Sequence, residues 1–148
     1  MYRNELEGWY GQYCRMLRWK DRVTSVYGDS EDAETIFDFA YAFFQNSYHL
    51  GDWLISDDVV PEEEIETFRG STSEMKLCRD ICNTTKHKKY NQGFPSIDAT
   101  PMTRREYDPF SGDWHGWYLY SDKRRPIVDL ISDCAEQWRA FLDSKDLL

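Results

Sequence analysis

Apolar residues recur at helical spacing through most of the chain. Leu6, Trp9, Tyr10, Tyr13 and Leu17 fall at i, i+3, i+4, i+7 and i+11, a stripe along a first helix. Gly8 and Gly11 each weaken that helix by about 1 kcal/mol, so its first turns are expected to fray. Tyr27-Gly28-Asp29 ends it. Ser30 then caps a second helix, and Glu31, Asp32 and Glu34 sit in the first turn, where the positive dipole end favours them. Its buried face reads Ile36, Ala40, Phe43, Phe44, Ser47, Leu50 and Leu54, and the pattern stops near Ser56-Asp57-Asp58. Pro61 and three glutamates open a short third helix, which Gly70 closes. Ser71 and Glu74 have capping-box spacing for a fourth helix running to about Lys89.

After Tyr90 the period is lost. Gly93, Pro95, Pro101, Pro109 and Gly112 punctuate the stretch that follows, and Trp114–Tyr120 is short and aromatic-rich, as a strand would be. Its partner strand is either Ser96–Thr100 or Thr103–Tyr107. Helical periodicity then returns with Ile127, Leu130, Ile131, Cys134, Trp138, Phe141 and Leu142, behind a Pro126 suited to the first turn. The fold class is mainly α: an up-and-down bundle of four to five helices, one domain over residues 1–148. A loop and β-hairpin insertion over residues 91–122 precedes the last helix.

Composition narrows the setting. The 148 residues carry 27 acidic against 18 basic side chains, a net charge of −9, and 16% aromatics. The aromatic load excludes a disordered acidic tail. The acidic balance argues against a protein that coats nucleic acid non-specifically. The longest apolar run, Phe39–Phe44, is too short to span a bilayer, and the opening residues lack the apolar core of a secretory signal. A cytoplasmic protein without membrane contact is the expectation. Cys14, Cys78, Cys82 and Cys134 read as reduced core thiols, since no second pair completes a zinc pattern.

The fourth helix concentrates the chemistry. At 100° per residue, Leu77, Cys78 and Ile81 share the core side, while Lys76, Arg79, Asn83, Lys86, His87 and Tyr90 gather opposite. Three cations, an amide and an imidazole make an anion or phosphate surface within an acidic protein. The plainer alternative is a solvated helix face. On the second helix Gln45, His49 and Asp52 lie together, and the His49–Asp52 spacing permits an imidazole–carboxylate pair. Such a carboxylate orients the ring for acid–base work, or simply forms a local hydrogen bond. No recognised metal spacing joins His49, Asp52 and His87, so neither metal nor cofactor is predicted. His115, within Trp114-His115-Gly116-Trp117, reads as packing, and Lys123-Arg124-Arg125 is too short a run to define nucleic-acid binding.

The segments FDFAYAFFQNSYHLGDWLISD, LCRDICNTTKHKKY and CAEQWRAFL together resemble the HEPN superfamily, over about half of the chain. That resemblance implies an all-α bundle, frequent dimers and often metal-independent RNA cleavage. Active members carry an Arg, a following polar residue and a His on one helix. Asn83 and His87 match the polar and His positions, but Cys82 stands where the motif has Arg. A thiol supplies no permanent positive charge to a phosphorane-like transition state. Arg79 lies one turn earlier and leans away from His87, and Lys86 is nearer but offers only a point charge.

Two functions follow, from different classes. One is an interaction module, or a nucleotide- or RNA-binding module, with a degenerate site on the HEPN-like scaffold. The other is a metal-independent endoribonuclease in which His87 is the acid or base, Asn83 holds the phosphate and Arg79 or Lys86 offsets charge. Gln45, His49, Asp52 and Cys82 are the accompanying binding residues. The missing Arg and the net charge favour the module. Tyr41, Tyr48 and Tyr90 on polar helix faces point to a homodimer through the fourth helix or its neighbour.

Overall fold

The computed structural model describes residues 3–27, 33–86, 102–110, 113–120 and 124–148. Five helices account for most of these residues: α1 (Gly8–Val26), α2 (Ala33–Ser56), α3 (Glu62–Arg69), α4 (Ser73–Lys86) and α5 (Ile127–Ser144). Between α4 and α5 lies one antiparallel sheet in the order β1 (Met102–Asp108), β2 (Asp113–Tyr120), β3 (Arg124–Pro126). The protein is a mainly helical bundle with a small strand insertion, as the periodicity predicts.

α1 and α2 run antiparallel, matched from end to end. Trp9 bonds Asp57, Gln12 bonds Asn46, and Trp19 packs on Phe39. Every residue of the expected α2 stripe is buried: Ile36, Ala40, Phe43, Phe44, Ser47, Leu50 and Leu54. On α1 the stripe is shifted. Leu6 precedes the helix and is 73% exposed, whereas Tyr13, Met16 and Val23 line the core with Trp9, Tyr10 and Leu17 at its margin. The first turn of α1 is tied down rather than frayed, because Asp57 Oδ2 accepts the Trp9 N–H at 2.7 Å. A carboxylate there satisfies an orphan donor and complements the helix dipole. Gly8, at φ +62°, makes the left-handed entry that brings the chain to Asp57.

Asp58, at φ 55°, breaks the chain out of α2, and Val59 N–H returns to the Leu54 carbonyl at 3.0 Å. Three glutamates fill the first turn of α3 and Arg69 the last, with Gly70 as C-cap. The cap of α4 lies one residue later than the capping-box spacing predicts. Met75 N–H donates to Thr72 Oγ1 at 3.1 Å, while Ser71 Oγ donates back to the Phe68 carbonyl and closes α3. The two hydroxyls thus divide the work, one for each helix. α4 and α5 are antiparallel neighbours, joined by Thr72 Oγ1 donating to Gln137 Oε1 at 2.6 Å.

Of the two candidate partner strands, the one around Thr103–Tyr107 pairs with β2; Ser96–Thr100 lies outside the described residues. Register runs from Met102↔Tyr120 to Asp108↔Asp113 and slips between Arg105 and Glu106, passing over Gly116. Glycine suits a bulge of this kind. β3 is not anticipated by the sequence pattern. It carries the sheet past residue 122 and delivers Pro126, at φ −61° and ψ 140°, as the N-cap of α5. Among the described residues, no helix is long and apolar enough to cross a membrane.

Candidate functional site on α4

α4 is enclosed on more than one side. Besides Leu77, Cys78 and Ile81, it buries Met75, Asp80, Cys82 and Asn83, because α2, α3 and α5 all pack against it. The helical wheel placed Asn83 and Arg79 on a solvated face opposite the core. That placement is corrected: Asn83 is 5% exposed and the Arg79 side chain 10%. A wheel assumes one partner surface, and here there are three. Of the described stripe residues, Lys76 and Arg79 are intermediate in exposure and Asn83 is buried. The backbone of Lys86 ends α4, its side chain falls outside the described residues, and so do His87 and Tyr90.

Arg79 Nε lies 3.8 Å from Asp80 Oδ1, and Asp80 itself is 1% exposed. A buried carboxylate needs a cation close by, and Arg79 stands beside it. Asn83 Nδ2 is buried and has no hydrogen-bond partner among the described residues. At the N-terminal end, Glu74 gathers donors: Ser73 Oγ at 3.1 Å, Gln137 Nε2 at 3.5 Å and Arg125 Nη1 at 3.6 Å. Burial works to raise its pKa. Its own backbone N–H, Ser73, Gln137 and Arg125 outweigh that and hold the carboxyl below its ordinary value.

Cys82, at the position that resembles the motif's Arg, is 2% exposed. Burial, first, and the neighbouring negative groups push the Tyr48 hydroxyl up, while Arg69 pulls it down.

Arg69 is the residue that sequence reading missed. Its guanidinium lies 3.9 Å from the Tyr48 ring centroid, donates to the Tyr48 carbonyl at 2.6 Å and pairs with Asp52 at 2.9 Å and Glu66 at 2.8 Å. Burial opposes its charge, but the Asp52 bond, Tyr48 and Glu66 overcome it and raise its pKa. Gly51 is the signal that could have revealed it. A Cβ there would lie 2.6 Å from Arg69 Nη2, so the mid-helix glycine marks the guanidinium's approach to α2.

This cluster also decides the α2 set. Asp52 is committed to Arg69 rather than to His49, and His49 is exposed, its ring edge-on to Tyr48 at 6.3 Å. Gln45 lines an open groove of about 530 Å³ with Asp38, Tyr41 and Ala42, which does not include Arg69. Gln45, His49 and Asp52 share one helix face but converge on no common point. All four cysteines are free thiols, with Cys78, Cys82 and Cys134 buried. Among the described residues no group of three His, Cys, Asp or Glu side chains is placed to hold a metal ion. Compared with known protein families, with characterised proteins and with solved structures, the chain matches none of them.

Proposed function

We propose that this protein is a non-catalytic module of HEPN-like build, which binds a phosphate-bearing nucleotide or RNA, or a partner protein, through the C-terminal end of α4. One observation carries the reading: Cys82, where the resembled motif has Arg, is a thiol only 2% exposed. No cation can act from that position on a phosphoryl group. Two buried arginines of α3 and α4 are paired with carboxylates, Arg79 beside Asp80 and Arg69 between Asp52 and Glu66. Positioned charge is the main protein contribution to phosphoryl chemistry, so its loss leaves binding rather than cleavage. The buried Asn83 Nδ2 supports a binding role, since a donor in that setting gains most from an incoming oxygen acceptor.

A labelled RNA of mixed sequence, incubated with the wild-type chain and with His87→Ala, tests this. The expected result is no His87-dependent cleavage, with Asn83→Ala weakening capture of RNA, mononucleotide or partner. Wild-type cleavage that falls by about 10²–10⁴-fold in His87→Ala would instead establish the endoribonuclease.

A further inference from the structure

The centre of the core holds a polar knot that the α4 site does not use. Ser47 of α2 is fully buried, and its hydroxyl accepts the Trp138 indole N–H at 2.9 Å and the Cys78 thiol at 3.4 Å. Cys134, one turn before Trp138 on α5, directs its sulfur to the Glu74 carbonyl at 3.6 Å, one turn before Cys78 on α4. In α4 the Glu74 carbonyl is the helical acceptor for the Cys78 N–H, so the Cys134 sulfur lies against the turn that carries Cys78, and both side chains belong to one buried cluster. Cysteines at one level of antiparallel neighbouring helices are candidates for a crosslink. Cys82 is one turn further along α4, and Cys14 is half-buried on α1.

We propose that Cys78 and Cys134 form a reversible disulfide under peroxide, tying α4 to α5 and making the helix that carries Asn83 sensitive to oxidation. The Cys78 sulfur, as thiolate, attacks one oxygen of hydrogen peroxide. The O–O bond breaks, hydroxide leaves, and Cys78 becomes a sulfenic acid. The Cys134 sulfur gives up its proton and displaces the sulfenic hydroxyl, which departs with that proton as water. Two thiols lose two electrons and two protons, and one peroxide becomes two waters. The two steps balance equally with Cys134 attacking first and Cys78 resolving, and the same disulfide results. Both sulfurs are at most 1% exposed, so reaction proceeds through local opening at the α4–α5 contact and runs slower than oxidation of Cys14.

The test is a disulfide map of the folded wild-type chain after hydrogen peroxide, with residual thiols alkylated and digestion under non-reducing conditions. The expected product links the Cys78 and Cys134 peptides, is two hydrogen atoms lighter than the separate thiols, and disappears on reduction. Cys134→Ala should abolish it and Cys82→Ala should leave it intact. Should Cys134→Ala fail to fold, the wild-type map still decides. Recovery of Cys78 and Cys134 as free thiols once Cys14 is fully oxidised would overturn the proposal. So would over-oxidation without a link, or a link through Cys82.

Discussion

The indole N–H of Trp138 reaches across the core from α5 to the hydroxyl of Ser47 on α2, with both residues fully buried. Ser47 accepts from Cys78 as well, so one small hydroxyl reconciles donors from two different helices. Ser47→Ala keeps the volume nearly constant and strands both donors. A loss of about 2 kcal/mol is expected, the cost of an unsatisfied buried donor. A lower urea midpoint at unchanged slope would report it.

Gly51→Ala should run against helix propensity. In an exposed helix the change stabilises by about 1 kcal/mol. Here the added Cβ would lie 2.6 Å from Arg69 Nη2 and 2.8 Å from Ile65 Cγ2. The guanidinium cannot retreat, being bonded to the Tyr48 carbonyl and Asp52. The expected outcome is a net loss of about 1–3 kcal/mol, the range for overpacking. Gly70→Ala is the control. At φ −99° and with its nearest neighbour at 3.7 Å it should leave the melting temperature almost unchanged.

Restoring the motif cation by Cys82→Arg should destabilise the fold before it restores any activity. The site is 2% exposed, on a helix against which α2, α3 and α5 all pack, and Cys82→Arg would bring a charge into it. The expected cost is roughly 3–5 kcal/mol, as for a buried charge left without its partner. Thermal melts beside the RNA assay separate the two effects. An undiminished melting temperature would contradict the burial of this position.

Acidification should weaken the α4–α5 junction through Glu74. Its native pKa lies below the ordinary carboxylate value, so its contribution is present above that ordinary value. It is lost as pH falls from there through the lowered native one. Chemical denaturation of wild type and Glu74→Gln across this range provides the check. The stability gap between them should be widest near neutrality and close on the acid side. A gap that widens on acidification would mean that Glu74 does not carry this linkage.

Periodicity made α2, α3 and α5 legible because each presents one apolar stripe to one core, which is the situation helical spacing encodes. α4 escaped it, since burial by α2, α3 and α5 together erases the difference between faces and takes Asp80, Cys82 and Asn83 inside. The Thr72 cap was hidden by Ser71, an equally good hydroxyl one residue earlier whose bond goes to Phe68. Arg69 is the last residue of α3, and nothing in the helical pattern sets it apart. Only its three-dimensional surroundings, Tyr48, Gly51 and Asp52, make it a core residue. In the candidate site, residue types were readable but their exposure was not.

The Trp138–Ser47 bond also sets an order of assembly. It closes across 91 positions of sequence, whereas α1 and α2 meet across a short loop and are latched at the far end by Asp57 on Trp9. Closing a long loop costs chain entropy before any contact repays it, so the α1–α2 hairpin should lead and α5 should dock last. Core substitutions in α1 or α2 would then slow refolding, with φ-values near 0.5–0.8, while Trp138→Phe would mainly hasten unfolding. Until α5 docks, Cys78 and Ser47 stand open, so a thiol that is 1% exposed in the folded chain is reachable during assembly.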